Sequence, residues 1–151
     1  MTVVVDTLDD LRALVGSELG ASSWLEVDQE RINAFADATD DRQWIHVDPE
    51  RAAAGPFGTT IAHGYLTLSL LIPMWAEILE VRSAPTMVNY GLGKVRFPAP
   101  VPVGSRLRLT ARLAAVEDVA GGVKLTVDAV VEREGGDKPV CVAQPVFNFY
   151  E

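Results

Sequence analysis

One stretch of the chain, residues 62–80, constrains the fold more than any other, because it carries apolar residues on nearly every side of a helix. Its large apolar side chains are Leu66, Leu68, Leu70, Leu71, Ile72, Met74, Trp75, Ile78 and Leu79. A helix that is apolar all round has to be buried. Pro73 removes a backbone hydrogen bond to Ser69, so we expect a kink or an early end there. The rest of the chain must therefore enclose a central helix.

The second half of the chain alternates apolar and polar residues, which is typical of β-strands. Residues 106–115 and 123–131 keep this alternation. Gly121-Gly122 between them and Gly135-Gly136 after them predict hairpin turns. Further strands are predicted at residues 88–97, 140–150 and 23–27, and Pro145 indicates an edge position or a bulge in the last strand.

These elements predict an α+β fold in which a five-stranded antiparallel sheet curls around a long central helix, so that both bury their apolar faces. Shorter helices are expected before it. Thr7, Asp28 and Asp48 are suitable N-cap residues, and Pro49 suits the first helical position. A chain of 151 residues with 48% hydrophobic content fits one domain over residues 1–151.

Charge and composition exclude several classes of function. A net charge of −8 argues against nonspecific binding of nucleic acid. Residues 61–76 form the longest apolar region, which falls short of the ~20 apolar residues needed to span a bilayer. No targeting segment is legible, so we expect a cytoplasmic protein. The single cysteine, Cys141, is expected to be a reduced thiol in the core.

Basic residues are concentrated in one part of this acidic chain. Residues 81–116 contain no Asp or Glu, yet they include Arg82, Lys94, Arg96, Arg106, Arg108 and Arg112. Such a segment can accept an anionic ligand while the remaining surface stays acidic. The alternative is that these are ordinary exposed strand residues.

The densest polar cluster lies in residues 39–49, between two predicted helices. Catalytic groups concentrate on loops held by rigid elements. Asp41 and His46, five residues apart, can converge on one water molecule, with one group polarising it while the other supplies or removes a proton. The alternative is that the acids are solvated or cap helices, and that the histidine is structural.

A second cluster, residues 61–65, lies at the start of the apolar helix. Amide groups in a first helical turn have no partner within the helix, so the Gly64 N–H can donate to a developing oxyanion. An equally plausible interpretation is that the helix needs a glycine at this position only for its tight start. His63 is expected to serve structure or packing.

Three motifs taken together resemble the MaoC-like, hydratase 2 family of hot-dog proteins. They are Thr39-x-Asp41-x-Gln43-Trp44-Ile45-His46, Ile61-Ala62-His63-Gly64, and the segment from Val95-Arg96-Phe97-Pro98 to Gly104. In the family's order, they cover residues 38–108. The resemblance implies an (R)-specific hydratase that adds water to trans-2-enoyl-CoA, with no metal and no redox cofactor.

The resemblance also implies roles for individual residues. Asp41 and His46 match the catalytic pair, and Gly64 matches the glycine whose amide binds the thioester oxygen. Gln43 stands where the family has Asn, and it can still orient a water molecule or the substrate through its amide. Trp44 stands where the family has Pro, and Asp40 where it commonly has Gly.

Binding of the CoA phosphates is expected from Lys94, Arg96, Arg106 and Arg108. Two further functions remain open, an acyl-CoA thioesterase of the same fold and a noncatalytic module that binds acyl-CoA or an acyl carrier. A metal enzyme that uses His46 and His63 is a remote alternative, because the chain has only two histidines and no metal-site spacing. The exposed edges of a curled sheet predict a homodimer.

Overall fold

A computed structural model describes residues 1–151. The helices are a 3₁₀ helix at Asp9–Leu14, α1 (Gln29–Thr39), α2 (Trp44–Val47), α3 (Pro49–Ala53) and α4 (Gly64–Ala76). The strands are β1 (Val3–Val5), β2 (Glu18–Ala21), β3 (Leu25–Val27), β4 (Leu79–Val81), β5 (Thr86–Arg96), β6 (Ser105–Val119), β7 (Gly122–Arg133) and β8 (Cys141–Tyr150).

The main sheet has the strand order β2-β6-β7-β8-β5, with β3 also paired to β6, and all of these pairs are antiparallel. The sheet therefore has one strand more than expected. The additional strand, β2, precedes the segment where a strand was predicted, and Ser22 lies between β2 and β3. The Leu109 amide donates to the Ser22 hydroxyl at 3.0 Å, so both short strands stay attached to β6.

The central helix α4 is enclosed by the sheet as expected. Trp75 is 1% exposed and stacks on Phe147 of β8 with ring centroids 5.2 Å apart. Leu107 and Leu109 of β6 are fully buried, whereas Arg106 and Arg108 extend from the opposite face. A curled sheet around one buried helix is the hot-dog arrangement, so the predicted fold is confirmed.

The central helix ends at Ala76, three residues after Pro73. It is therefore shorter than the apolar stretch that predicted it. Residues 79–81 then form β4 and pair in parallel with β1. The Glu77 carboxylate, which accepts hydrogen bonds from the amide and hydroxyl of Ser23 at 2.8 Å, fixes the chain at this change of direction. Tertiary pairing therefore overrides the helical pattern of the last residues.

Pro145 does not lie on an edge strand, because β8 is between β7 and β5. It pairs with Leu92, next to a register shift in β5 between Leu92 and Val95. The ladder between β7 and β8 has no pair at Pro145 itself. The missing N–H of proline is thus accommodated by a local interruption of the sheet.

The predicted helix caps at Asp28 and Asp48 are confirmed. The Asp28 carboxylate accepts a hydrogen bond from the Arg31 amide, and the Asp48 carboxylate accepts one from the Arg51 amide. Cys141 is buried as predicted, and burial raises the pKa of its thiol to about 11. None of the helices is both long enough and apolar enough to cross a bilayer.

Candidate active site

The loop that follows α1 begins with a residue in the left-handed conformation. Asp40 has φ 61°, which is a region that glycine occupies without strain and that Asp tolerates. This conformation explains why a glycine is suited to the position. Arg42 binds the carboxylates of both Asp40 and Asp37 and leaves Asp41 outside this ion-pair cluster.

The second part of this loop is not irregular, because Trp44–Val47 forms one helical turn. The Trp44 ring packs so closely against Gly55 that a Cβ there would lie 2.9 Å from it. The Arg51 guanidinium lies 4.4 Å from the centroid of the Trp44 ring. Side-chain packing therefore restrains this turn at the position where a proline would have restrained φ.

His46, on this helical turn, is 6% exposed and points its Nδ1 atom at the Ile61 carbonyl oxygen, 2.7 Å away. A carbonyl oxygen only accepts hydrogen bonds, so Nδ1 carries the proton when the ring is neutral. The Nε2 atom of His46 is then left with a free lone pair. This is the tautomer that a general base requires.

The backbone around His46 is held by Gln29 of α1. The Gln29 amide donates to the His46 carbonyl oxygen at 2.8 Å and accepts a hydrogen bond from the Thr60 hydroxyl. The Ile61 amide donates to the Ile45 carbonyl oxygen at 3.0 Å. These bonds join the turn to the segment before α4, so the position of the imidazole is set from two sides.

Gly64 is the first residue of α4, and its N–H has no hydrogen-bond partner within the chain. The amide is therefore free to donate to a ligand, and the helix dipole adds partial positive charge at this end. The Phe97 ring lies against the glycine, since a Cβ at Gly64 would be 3.2 Å from two ring atoms. A larger residue at position 64 would displace this ring.

The structure brings three of the predicted site residues, Asp41, His46 and Gly64, to one cleft. The cleft has a volume of about 220 Å³ and is also lined by His63, Tyr65 and Phe97. One potential ligating atom from each of Asp41, His46 and His63 lies within 4.8 Å of the other two. A carboxylate, a basic nitrogen and an unpaired amide therefore face the same small volume.

Burial lowers the pKa of His46 below its ordinary value of 6.5. The Ile61 hydrogen bond opposes this effect, the neighbouring His63 adds to it, and the charge of Asp41 opposes it. The net result is an imidazole that is neutral at neutral pH. A neutral imidazole with a bare Nε2 atom can take a proton from water.

The Asp41, His46 and His63 cluster does not have the geometry of a metal site. The two imidazole rings are stacked with centroids 3.9 Å apart and an interplanar angle of 23°. Because each nitrogen lone pair lies in the plane of its ring, lone pairs of nearly parallel rings do not converge on one ion. The cluster is better suited to proton transfer.

Two apolar cavities adjoin the cleft. One has a volume of about 650 Å³ and shares Tyr65 and Phe97 with the cleft, and its remaining lining includes Phe35, Leu68 and Leu92. The other has a volume of about 370 Å³ and shares Gly64 and Phe97. Phe97 thus borders all three spaces. Sequence reasoning did not single out Phe97 or Tyr65, although both lie within or next to the motifs that carried the resemblance.

The other predicted site residues lie outside the cleft. Gln43 is exposed at the start of α2, and its side chain makes no hydrogen bond within the chain. Arg106 and Arg108 form ion pairs with Glu134 and Glu132. Both guanidinium groups also lie over the Trp24 ring, which the sequence did not indicate.

Lys94 and Arg96 are placed differently. They lie on β5, the strand that leads to Phe97, and they line a cavity of about 480 Å³ together with Asp128 and Gln144. Neither residue forms an ion pair. Strands β7 and β8 separate β5 from β6, which carries Arg106 and Arg108. Of the four basic residues predicted to bind CoA, Lys94 and Arg96 are therefore the two that are close in sequence to the cleft and in no ion pair.

The fold is that of the hot-dog proteins. A family model described as "MaoC like domain" matches residues 10–135, and the chain belongs to this family. It is 54% identical over 145 residues to 3-hydroxyacyl-thioester dehydratase Z of Mycobacterium tuberculosis, covering 95% of this chain and 96% of the relative.

Solved structures show the same fold. The R-hydratase PhaJ1 from Pseudomonas aeruginosa superimposes with a TM-score of 0.74 at 24% identity, over 91% of this chain and 82% of that chain. The (R)-hydratase from A. caviae gives a TM-score of 0.72 at 22% identity, over 88% and 94% of the two chains. The hot-dog architecture is thus shared at low sequence identity.

Proposed function

We propose that this chain is a hydro-lyase that adds water to trans-2-enoyl-CoA to give (R)-3-hydroxyacyl-CoA, and that it catalyses the reverse dehydration. The observation that carries the proposal is the cleft in which Asp41, the bare Nε2 atom of His46 and the unpaired Gly64 amide meet. Membership of the MaoC family and the name of the 54% identical dehydratase support it. The reaction belongs to fatty acid metabolism.

The mechanism follows from the chemistry of these groups. The Gly64 N–H donates a hydrogen bond to the thioester oxygen, which makes C3 of the substrate electrophilic. Asp41 and His46 hold a water molecule, and His46 Nε2 takes one of its protons as the water oxygen bonds to C3. The electron pair of the double bond moves toward C2 and the thioester oxygen, and the protonated His46 then gives its Nε2 proton to C2, which returns His46 to its neutral form. The sum is the addition of one water molecule.

The acyl chain and the CoA phosphates of the substrate can each be matched to a surface of the protein. The apolar cavity of about 650 Å³ next to the cleft suits the hydrocarbon part of the acyl group. Lys94 and Arg96 are in no ion pair, and the one acidic residue that lines their cavity, Asp128, accepts a hydrogen bond from Gln144, so both are available to bind the CoA phosphates. Arg106 and Arg108 would first have to leave their glutamate partners. We therefore assign phosphate binding to Lys94 and Arg96.

The test of this function is incubation of the protein with crotonyl-CoA while the absorbance of the conjugated enoyl group is followed. A hydratase removes this absorbance without releasing free CoA. Release of free CoA identifies a thioesterase instead, in which water attacks the thioester carbonyl. Saturable binding of crotonyl-CoA with no chemical change identifies a noncatalytic binding module. Either of the last two results contradicts the proposal.

We further propose that the protein is a cytoplasmic homodimer. The outer edge of β5 is unpaired, and this strand exposes Val88, Tyr90 and Leu92, of which Tyr90 is 62% exposed. An exposed apolar edge strand of this length is usually covered by another chain. A second copy of the same chain is the simplest binding partner. A buried cysteine thiol without a partner is suited to a reducing compartment. Sedimentation of an active sample as a monomer at micromolar concentration would contradict the dimer.

A further inference from the structure

The imidazole of His63, the residue immediately before α4, is buried directly beneath the cleft. It is 2% exposed, and it packs between Phe35, with ring centroids 4.8 Å apart, and His46, with ring centroids 3.9 Å apart. The mechanism proposed above assigns no step to it. A buried ionisable ring in contact with the general base nevertheless affects the chemistry of that base.

One hydrogen bond to the main chain defines which ring nitrogen of His63 is the donor. Its Nε2 atom lies 2.8 Å from the Asp41 carbonyl oxygen, which can only accept, so Nε2 carries the proton. Its Nδ1 atom is buried and has no hydrogen-bond partner.

The same hydrogen bond fixes the backbone of Asp41. The Asp41 amide makes only a long contact of 3.4 Å to the Thr39 hydroxyl, and the neighbouring Arg42 engages other carboxylates. The Asp41 side chain is in no ion pair. The bond from His63 is therefore the shortest one that this residue makes.

His63 thus links all three groups of the cleft. It is joined to Gly64 by the peptide bond, to His46 by ring stacking and to Asp41 by a hydrogen bond. We propose that His63 is a positioning residue, whose Nε2–H holds Asp41 over the cleft and whose ring shields one face of His46 from water. This inference rests on the hydratase function proposed above.

The two parts of this role can be separated by two substitutions. His63→Phe keeps a ring against His46 but removes the donor to the Asp41 carbonyl oxygen. His63→Gln removes the ring but offers an amide N–H that can reach the same oxygen. Both residues fill most of the space of the imidazole, so the core around Phe35 is retained.

For turnover of crotonyl-CoA, His63→Phe should lower kcat by up to about 10²-fold with KM nearly unchanged, because a displacement of the order of 1 Å at a reacting group has that effect. His63→Gln should retain more of the wild-type kcat than His63→Phe does. Equal kcat values in all three proteins would overturn the tethering role. Melting temperatures measured alongside show whether a change in kcat reflects unfolding.

The second readout does not depend on turnover. The chain has two histidines, so in either variant His46 is the only one left, and its ring resonances can be titrated by NMR without ambiguity. The ionisable groups that act on His46 are His63 and Asp41. The pKa of His46 should stay low in His63→Phe, where a ring still excludes water, and should rise toward the value of a solvated histidine in His63→Gln.

These outcomes keep the two proposals distinct. A wild-type protein that does not hydrate crotonyl-CoA contradicts the hydratase function, while the NMR titration still tests the shielding by His63. An identical His46 pKa in the wild type and both variants, together with unchanged kcat, would reduce His63 to a packing residue. A shift of the pKa in His63→Phe as large as that in His63→Gln would also contradict the shielding role.

Discussion

The ring of Phe97 lies against Gly64 so closely that a methyl group on this glycine would stand 3.2 Å from two ring carbon atoms. Gly64→Ala keeps the amide N–H but forces either the ring or the helix start to move. We expect kcat/KM for crotonyl-CoA to fall on the order of 10-fold, since the donor is displaced but not removed. Combining Gly64→Ala with Phe97→Leu should restore part of the activity. Full activity of Gly64→Ala alone would show that the contact does not position the amide.

Removing either proposed proton-transfer group should have a larger effect. We expect Asp41→Asn and His46→Gln each to lower hydration by about 10²–10⁴-fold without unfolding the protein. Asp40→Asn is the matched control, because Asp40 is adjacent in sequence, bears the same charge and binds Arg42 away from the cleft. Initial rates of the three variants measure the loss of hydration, and circular dichroism shows whether each variant is folded. Loss of turnover in Asp40→Asn but not in Asp41→Asn would mean that the catalytic carboxylate has been misassigned.

The pKa of His46 predicts how activity depends on pH. Because burial lowers this pKa below 6.5, the base form persists at mildly acidic pH, and the acid limb of kcat/KM should lie below the range of a solvated histidine. A pH profile measured with crotonyl-CoA tests this. An acid limb centred above 6.5 would contradict the neutral, shielded imidazole.

The same pKa shift affects stability. The unfolded chain binds the proton at an ordinary pKa of about 6.5, whereas the folded state binds it only at lower pH. The contribution of His46 to the free energy of unfolding is therefore fully present above the pKa of the unfolded chain. It decreases as the pH falls below that value toward the lower pKa of the folded state. Urea unfolding at several pH values should show this decrease in the wild type, and His46→Gln should remove the part that His46 contributes.

The assignment of phosphate binding can be tested with two matched double variants. Lys94→Gln/Arg96→Gln should raise KM for the CoA substrate, leave kcat nearly unchanged and weaken the salt dependence of binding, because these contacts are remote from C3. Arg106→Gln/Arg108→Gln changes the net charge equally but affects residues already paired with glutamates. If KM rises more in Arg106→Gln/Arg108→Gln than in Lys94→Gln/Arg96→Gln, the phosphates bind at β6 and the assignment to β5 is wrong.

The hydrophobic pattern was sufficient to predict the central helix, the hairpins at Gly121 and Gly135, and the caps at Asp28 and Asp48, because each depends on local spacing or on one side chain. The parallel pairing of β1 with β4 was missed. It depends on a contact between residues more than seventy positions apart, and the residues of β4 also fit a helical pattern. Of the two positions predicted for Pro145, the bulge is confirmed and the edge is wrong, because the choice between them depends on neighbouring strands.

The site could be predicted only in part. Asp41, His46 and Gly64 stand in recognisable motifs, and the structure places them in one cleft. The ion pairs of Arg106 and Arg108 could not be predicted from the acid-free segment, residues 81–116. Their glutamate partners lie outside it, on β7 or directly after it. The contacts of His63 were equally invisible, since they depend on how three separate segments meet.

Both histidines of the cleft hold main-chain oxygen atoms, those of Ile61 and Asp41. Every amino acid provides such an oxygen, so exchanging the side chains around the two rings does not take away their acceptors. The side chains of the loop can therefore change while the imidazoles keep the same orientation. Descendants of one ancestral enzyme could in this way change the acyl groups they accept without rebuilding the apparatus that handles the proton.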